Sequence, residues 1–179
     1  MASSRVGDWI ETASGREFWP LDPRPEEIHI EDIATALSKL CRFGGHCKSF
    51  YSVAEHCALA SEFVPTGIAL EALLHDAAEA YLSDIPRPLK RLPEFAAYRA
   101  AETKLEQAIA ARFGLVYPWP EEVKKIDDRL LHTEAGQLMP SAIWVRPELV
   151  LPGVTIRGLE PEEARRVFIR VFNLYKRGA

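Results

Sequence analysis

Residues 68–82 read IALEALLHDAAEAYL, and this stretch decides the fold of the chain. Its apolar residues continue almost without interruption, which predicts one helix from Ile68 to Leu82 in the middle of a helical domain. Two ionisable residues, His75 and Asp76, stand within that apolar surface, and burying such a pair is costly unless its charge is compensated. A bound cation would provide that compensation, so the doublet points to a metal site.

Two further segments carry side chains of the kind that bind metals. Ser-Val-Ala-Glu over residues 52–55 has the spacing of a capping box, which predicts a helix over residues 52–63 that carries His56. A later helical segment carries Asp127 and Asp128, and the pattern alone leaves both open as ligands. Two imidazoles and two carboxylates suit one divalent ion with positions left for water and phosphate oxygen. We expect manganese, cobalt, magnesium, iron or zinc in an open site rather than a closed structural zinc site.

Other charged residues accompany this set. Glu79 follows Asp76 by three residues, so a continuous helix would place both on one face. Asp84 follows in a proline-rich loop, and carboxylates beside a metal can position water and move protons. A phosphate group also needs cations nearby. The candidates in the flanking loops are Arg42, Lys48, Lys90 and Arg91.

Composition limits the classes of function. The chain has 179 residues, 47% hydrophobic and 27% charged, with a formal net charge of -4. These values are typical of a globular domain without a general attraction to bulk nucleic acid or anionic membranes. No stretch has the length of a membrane span or the pattern of a signal peptide, so we expect a cytoplasmic protein. The cysteines Cys41, Cys47 and Cys57 lack C-x-x-C spacing and are expected to be buried as small hydrophobic residues.

The chain is predicted to form one domain over residues 1–179. Its parts are an extended arm over residues 1–29, a helical metal-binding core over residues 30–140 and a C-terminal strand or loop with a helix over residues 141–179. A short hairpin is predicted around Ser14-Gly15. The Val- and Ile-rich residues 142–157 predict either a short strand pair or an ordered loop.

The remaining elements follow from helical periodicity and its boundaries. Further helices are predicted over residues 31–40, over residues 93–113, from Pro120 onward, and over residues 161–175 with an inward stripe of Val167, Phe168, Val171, Phe172 and Tyr175. Residues 83–88 contain two prolines and are predicted to be irregular.

Taken together, these residues resemble the HD-domain metal-dependent phosphohydrolases. The resemblance rests on Ser-Val-Ala-Glu-His56, Leu-Leu-His75-Asp76-Ala-Ala-Glu79, the SDIPRPLK of residues 83–90 and Lys-Ile-Asp127. It spans residues 42–134 and is strongest to the branch that includes the bacterial 5'-deoxynucleotidases of the YfbR type. It implies an all-α helical bundle, often a homodimer, that hydrolyses phosphate esters with one divalent ion.

The resemblance also implies a role for each residue. The implied metal ligands are His56, His75, Asp76 and Asp127, with Asp127 preferred to Asp128 because the family's last ligand follows a small or apolar residue. The implied acid and base carboxylates are Glu79 and Asp84. Arg42 is the implied phosphate contact, Phe43 stands where those nucleotidases carry a sugar-sensing Trp, and Lys90 is a further candidate substrate contact. No histidine lies between His75 and Asp127, which favours one metal ion over two.

These observations predict a phosphomonoesterase that acts on nucleoside 5'-monophosphates. Two alternatives remain at this point: a nucleotide-binding or regulatory module with little turnover, and a buried polar network with a purely structural role. The presence of both Glu79 and Asp84 favours the enzyme, since binding alone would not require a spare pair of carboxylates.

Overall fold

The computed structural model describes residues 5–176, and helices dominate that part of the chain. The predicted predominantly helical fold is confirmed, and the strands form one small antiparallel hairpin. The elements are β1 (Ile10–Glu11), β2 (Glu17–Phe18), α1 (Ile30–Lys39), α2 (Val53–Glu62), α3 (Ala69–Leu74), α4 (Glu79–Leu82), α5 (Arg87–Lys90), α6 (Ala96–Phe113), α7 (Glu121–Leu138) and α8 (Pro161–Lys176). Within residues 5–176, no helix is both long enough and apolar enough to cross a membrane.

The N-terminal arm is fastened to the helices by its hairpin. The predicted turn at Ser14-Gly15 is confirmed, because β1 pairs antiparallel with β2 on either side of it. The backbone N–H and the hydroxyl of Ser14 both donate to the buried carboxylate of Asp32 in α1. Phe18 stacks on Tyr81 with ring centroids 4.1 Å apart. Residues 1–4 of the predicted arm lie outside the described residues.

The core is built around α2, which has apolar neighbours on two sides. One cluster joins α2 to α1, α3 and α8, and the predicted inward stripe of α8 packs there. A second cluster places Ala60 of α2 against Val123, Ile126 and Leu130 of α7. The fully buried His56 of α2 contacts His75, which follows α3, and Asp127 and Glu134 of α7.

The helix predicted over residues 68–82 is wrong in one respect, because it breaks at the His75-Asp76 doublet. α3 ends at Leu74 and α4 begins at Glu79. Between them, the N–H of Ala77 donates to the carbonyl of Leu74, and the N–H of Glu79 donates to the carbonyl of Asp76. Each donor–acceptor distance is 3.0 Å. Such i to i+3 bonding tightens the coil to about three residues per turn and eclipses residues three apart. The side chains of Asp76 and Glu79 consequently lie on the same side of this turn.

Residues 142–157 form an ordered loop with one short 3-10 turn, so the strand-pair alternative is wrong. Backbone donors of this loop bond to side chains of α7 instead of a partner strand. The N–H of Arg146 donates to His132 Nδ1, that of Leu151 to Thr133 Oγ1 and that of Ile156 to Gln137 Oε1. The C-terminal residues 177–179 lie outside the described residues.

Two smaller expectations need correction. The proline-rich stretch is irregular as predicted only through Pro86, because α5 follows, where prolines are tolerated in the first turn. Cys57 is buried as expected, but Cys41 and Cys47 are only half-buried, with their Sγ atoms 3.6 Å apart.

Candidate metal centre

The helix α2 holds His56 in a fixed position. Ser52 caps this helix, and its hydroxyl accepts a hydrogen bond from the N–H of Glu55. The second half of the predicted capping box is absent, because the Glu55 carboxylate instead accepts the backbone N–H groups of Arg157, Gly158 and Leu159. The helix is therefore tied to the segment before α8, and the His56 side chain one turn into it is fully buried.

The ligand atoms of His56, His75 and Asp76 lie within reach of a single ion. The two histidine Nε2 atoms are 3.4 Å apart. The Asp76 Oδ2 atom lies 3.3 Å from His75 Nε2 and 3.7 Å from His56 Nε2. Donor atoms bound at about 2.1 Å to one ion are separated by about 3.0 Å at octahedral angles and about 3.4 Å at tetrahedral angles. These three residues form a group that could hold a metal ion.

Asp127 is the member of its acidic pair that reaches the imidazoles. It lies four residues after Val123 and three before Leu130, both buried, so its side chain is on the inward face of α7. Its Oδ1 atom is 3.3 Å from His56 Nε2 and 3.8 Å from His75 Nε2. Burial alone would raise its pKa, but its hydrogen bonds to the two histidines outweigh this effect and hold the pKa of Asp127 well below its usual range.

The electrostatics around the two imidazoles favour positive charge. Burial lowers the pKa of His75, but the carboxylates of Asp76 and Asp127 outweigh burial and raise the pKa well above its ordinary value. Burial and the charge of Arg42 lower the pKa of His56, and contacts with Glu134 and Asp127 reverse the shift to a net increase. Metal ions replace protons on histidine ligands. The cluster therefore suits a cation in donor type, spacing and charge.

Glu134 is the residue of the centre to which sequence reasoning assigned no role. It is fully buried and accepts hydrogen bonds from Arg42 Nε at 3.0 Å, from the Tyr51 hydroxyl at 2.8 Å and from His56 Nδ1 at 2.6 Å. The bond to Nδ1 fixes the ring of His56 so that Nε2 faces His75 and the carboxylates. Burial raises the pKa of Glu134, but Arg42 and His56 outweigh it and leave a net decrease.

The sequence does contain a signal for Glu134. It follows Asp127 by seven residues, which is about two helical turns, so both side chains lie on nearly the same face of α7. An acidic residue at that spacing from a candidate ligand is a natural partner for the other ring nitrogen of a metal-binding histidine.

The two candidate acid and base carboxylates border the same cavity as Asp76 and Asp127. Glu79 Oε2 is buried and has no hydrogen-bond partner, which is unusual for a carboxyl oxygen. Burial, followed by the charges of Asp76 and Asp84, raises the pKa of Glu79 well above its ordinary value. Burial also raises the pKa of Asp84. Both groups can therefore hold a proton more readily than an exposed carboxyl.

The three candidate substrate contacts, Arg42, Phe43 and Lys90, also line this cavity of about 1040 Å³. Arg42 lies between carboxylates, with Nε on Glu134 at 3.0 Å and Nη1 3.5 Å from Asp76. Lys90 is less available than the sequence suggests, because its ammonium group pairs with Glu102. Trp144, which sequence reasoning did not single out, lines the cavity from the 142–157 loop.

Comparison with known proteins supplies relatives without a stated activity. No family model matches the chain. The chain is 45% identical over 174 residues to the uncharacterized protein YfdR of Escherichia coli strain K12, an alignment that covers 92% of this chain and 94% of that protein. It is 36% identical over 180 residues to an uncharacterized protein of Rhodobacter capsulatus, covering 89% of this chain and 91% of the relative.

Proposed function

We propose a function from the site for this chain, which belongs to the family of YfdR: it is a divalent-metal-dependent phosphohydrolase of the HD-domain type. We further propose that it is a phosphomonoesterase that acts on nucleoside 5'-monophosphates. One observation carries the proposal. The mutually close ligand atoms of His56, His75 and Asp76 adjoin a cavity that Asp76 lines together with Glu79, whose buried Oε2 atom has no hydrogen-bond partner.

The residues of the site have separate roles in the proposed hydrolysis. His56, His75, Asp76 and Asp127 would hold the ion, which when bound supplies Lewis acidity toward a phosphoryl oxygen and toward water. Water attacks phosphorus, the bond from phosphorus to the ester oxygen breaks, and the leaving oxygen takes up a proton. The products are inorganic phosphate and a nucleoside.

Glu79 and Asp84 are the groups that can manage these protons. Glu79 lies on the same side of the tightened turn as Asp76, and its free Oε2 atom can hold a proton at the cavity wall. A carboxyl with a raised pKa can donate a proton to a leaving oxygen, and after ionisation the same group can accept one from water. Asp84 is the second group of this kind on the cavity wall.

Charge and size support a phosphate ester with an organic body. The Arg42 guanidinium lies beside Asp76, where it can also face a phosphoryl oxygen, and it offers forked donors that match phosphate geometry. The exposed Arg87 adds a further cation to the cavity lining, beside Arg42 and Lys90. A cavity of about 1040 Å³ is far larger than a phosphate group needs and matches the size of pockets for larger small-molecule ligands.

The proposal is tested by measuring phosphate release from a panel of nucleoside 5'-monophosphates with manganese, cobalt or magnesium. Wild-type protein is expected to release phosphate, and Glu79→Gln is expected to lose about a hundredfold to ten-thousandfold in kcat because it cannot transfer the proton. Glu94→Gln, which changes an exposed carboxylate outside the cavity lining, is the matched control and should retain full activity.

Two outcomes would contradict the proposal. The absence of turnover with every mononucleotide and metal would remove the phosphomonoesterase, and nucleotide binding in calorimetry at background rates would then favour a binding module. Full activity of Glu79→Gln would remove the proposed proton transfer. Metal binding by Glu79→Gln, measured in parallel, should match wild type because Glu79 is not among the proposed ligands.

A further inference from the structure

Backbone strain marks three segments around the cavity. Within residues 5–176, the non-glycine residues with positive φ are Phe43 at 56°, Ser83 at 63° and Ala142 at 49°. Phe43 and Ser83 themselves line the cavity, and Ala142 lies two residues before Trp144, which also lines it. Side chains rarely adopt this conformation, and where they do, the site is often one that binds or positions a ligand. The segment that carries Trp144 therefore has a strained, positive-φ residue, as do the two segments that carry Phe43 and Ser83.

Trp144 is held in the cavity wall by α7. Its ring lies against that of His132, with centroids 5.7 Å apart and planes inclined at 59°. His132 is buried, and its Nδ1 atom accepts the backbone N–H of Arg146. Trp144 is nevertheless 45% exposed. A large aromatic ring that is positioned by its neighbours and still open to the cavity can contact a bound ligand.

The wall around Trp144 is apolar and begins close to the metal centre. Leu131 and Met139 line the cavity together with Trp144. Leu131 follows Asp127 by four residues, so it lies about 6 Å farther along the face of α7. Met139 directly follows the last residue of α7. Along α7 the cavity lining therefore changes from the carboxylate of Asp127 to apolar side chains, and Trp144 of the following loop belongs to the same lining.

We propose that Trp144 is a specificity-determining residue that stacks on the heterocyclic base of the substrate. This inference deepens the proposed function and rests on it. A phosphate bound at the ionic end would leave the organic part of the ester beside Leu131, Met139 and Trp144. Aliphatic side chains suffice to cover an alkyl group, whereas an indole adds a flat π surface that suits a planar base. The substrates selected by this wall are phosphate esters that carry an aromatic base.

The test compares adenosine 5'-monophosphate with ribose 5-phosphate, which has the same phosphate and sugar but no base. Trp144→Leu keeps an apolar side chain and removes the aromatic ring, while Trp144→Phe keeps a ring. Loss of stacking should raise KM for adenosine 5'-monophosphate about tenfold in Trp144→Leu, equivalent to about 1.4 kcal/mol. Its KM for ribose 5-phosphate should stay unchanged, and Trp144→Phe should remain close to wild type. Ile143→Ala is the matched control, because Ile143 is 88% exposed and lies outside the cavity lining.

A binding measurement separates this inference from the proposed activity. Calorimetry on the manganese-loaded Glu79→Gln variant should show tighter binding of adenosine 5'-monophosphate than of ribose 5-phosphate, and adding Trp144→Leu should remove that difference. If the nucleotide binds with this preference but wild type hydrolyses no ester, the hydrolase proposal fails and the inference that Trp144 stacks on the base stands. The inference is overturned if Trp144→Leu affects both ligands equally or neither, or if the nucleotide does not bind.

Discussion

Replacing Glu134 with glutamine would test how the buried network supports the metal centre. The substitution preserves the shape of a fully buried side chain and removes its charge. It also replaces one acceptor oxygen with an NH2 donor, although the three present partners, Arg42, Tyr51 and His56, all approach as donors. In Glu134→Gln, the new NH2 group therefore faces at least one of these donors without an acceptor between them.

The expected loss of stability follows from these contacts. A hydrogen bond to a charged group contributes about 1.5 to 3 kcal/mol, and removing one partner of a buried ion pair costs about 3 to 5 kcal/mol. Arg42 keeps a second carboxylate, Asp76, at 3.5 Å, so the lower end applies. We expect Glu134→Gln to lower the free energy of unfolding by about 3 kcal/mol. In a chain of 179 residues this lowers Tm by about 6 to 12 °C.

The pH dependence of this effect has a definite sign. The pKa of Glu134 is lowered in the folded protein, so the stability from its carboxylate is present above the ordinary carboxyl pKa. That contribution is lost as pH falls through the folded value. The difference in unfolding free energy between wild type and Glu134→Gln should therefore be largest near neutral pH and shrink in acid.

Metal affinity distinguishes an orienting role from a merely structural one. Losing the carboxylate behind a histidine ligand weakens metal binding by about 10 to 100-fold. Chelator-treated wild type and Glu134→Gln would be compared by urea unfolding and by manganese titration. Asp32→Asn is the control, since Asp32 is also buried and hydrogen-bonded but lies outside the cavity. It should lose stability without losing metal affinity. A Glu134→Gln protein that is destabilised yet binds manganese as wild type does would refute the orienting role.

Two further predictions concern buried groups near the centre. Burial raises the pKa of Cys57 to about 11. At pH 8 a thiol reagent should therefore label the half-buried Cys41 and Cys47 in the native protein, and Cys57 only after unfolding. Rapid labelling of all three thiols in the native protein would contradict this prediction. Glu55→Gln should lower the free energy of unfolding by about 2 kcal/mol in urea titrations, because three backbone N–H groups donate to that carboxylate. Its metal affinity should equal that of wild type, and a large change would show that the two networks are coupled.

Local signals in the sequence predicted the helix boundaries well. Ser52 accepts the N–H three residues later, as the capping pattern predicts. The helix predicted over residues 93–113 ends as α6 at Phe113, and Gly114 directly after it adopts the left-handed conformation, where a residue with a side chain would be strained. Pro161 begins α8. These signals work because each depends on a few neighbouring residues rather than on the folded core.

Features that depend on tertiary packing escaped prediction. The break at His75-Asp76 is a choice between i to i+3 and i to i+4 bonding, which helical periodicity does not resolve. The loop over residues 142–157 satisfies its backbone with side chains of α7, so its β-like composition was misleading. The spacing of Glu134 from Asp127 places both on one face of α7, but its partners Arg42 and His56 reach it only when α2 and the segment around Arg42 pack against that face.

The proposed metal centre requires that one ion is shared by His56, His75, Asp76 and Asp127. Equilibrium dialysis of manganese against wild type and Asp76→Asn measures this, since the substitution keeps the side chain's shape and removes its charge. Wild type is expected to bind one manganese ion per chain, and Asp76→Asn is expected to lose that ion at the same concentration. No bound manganese in wild type, or unchanged binding by Asp76→Asn, would contradict the proposed metal centre.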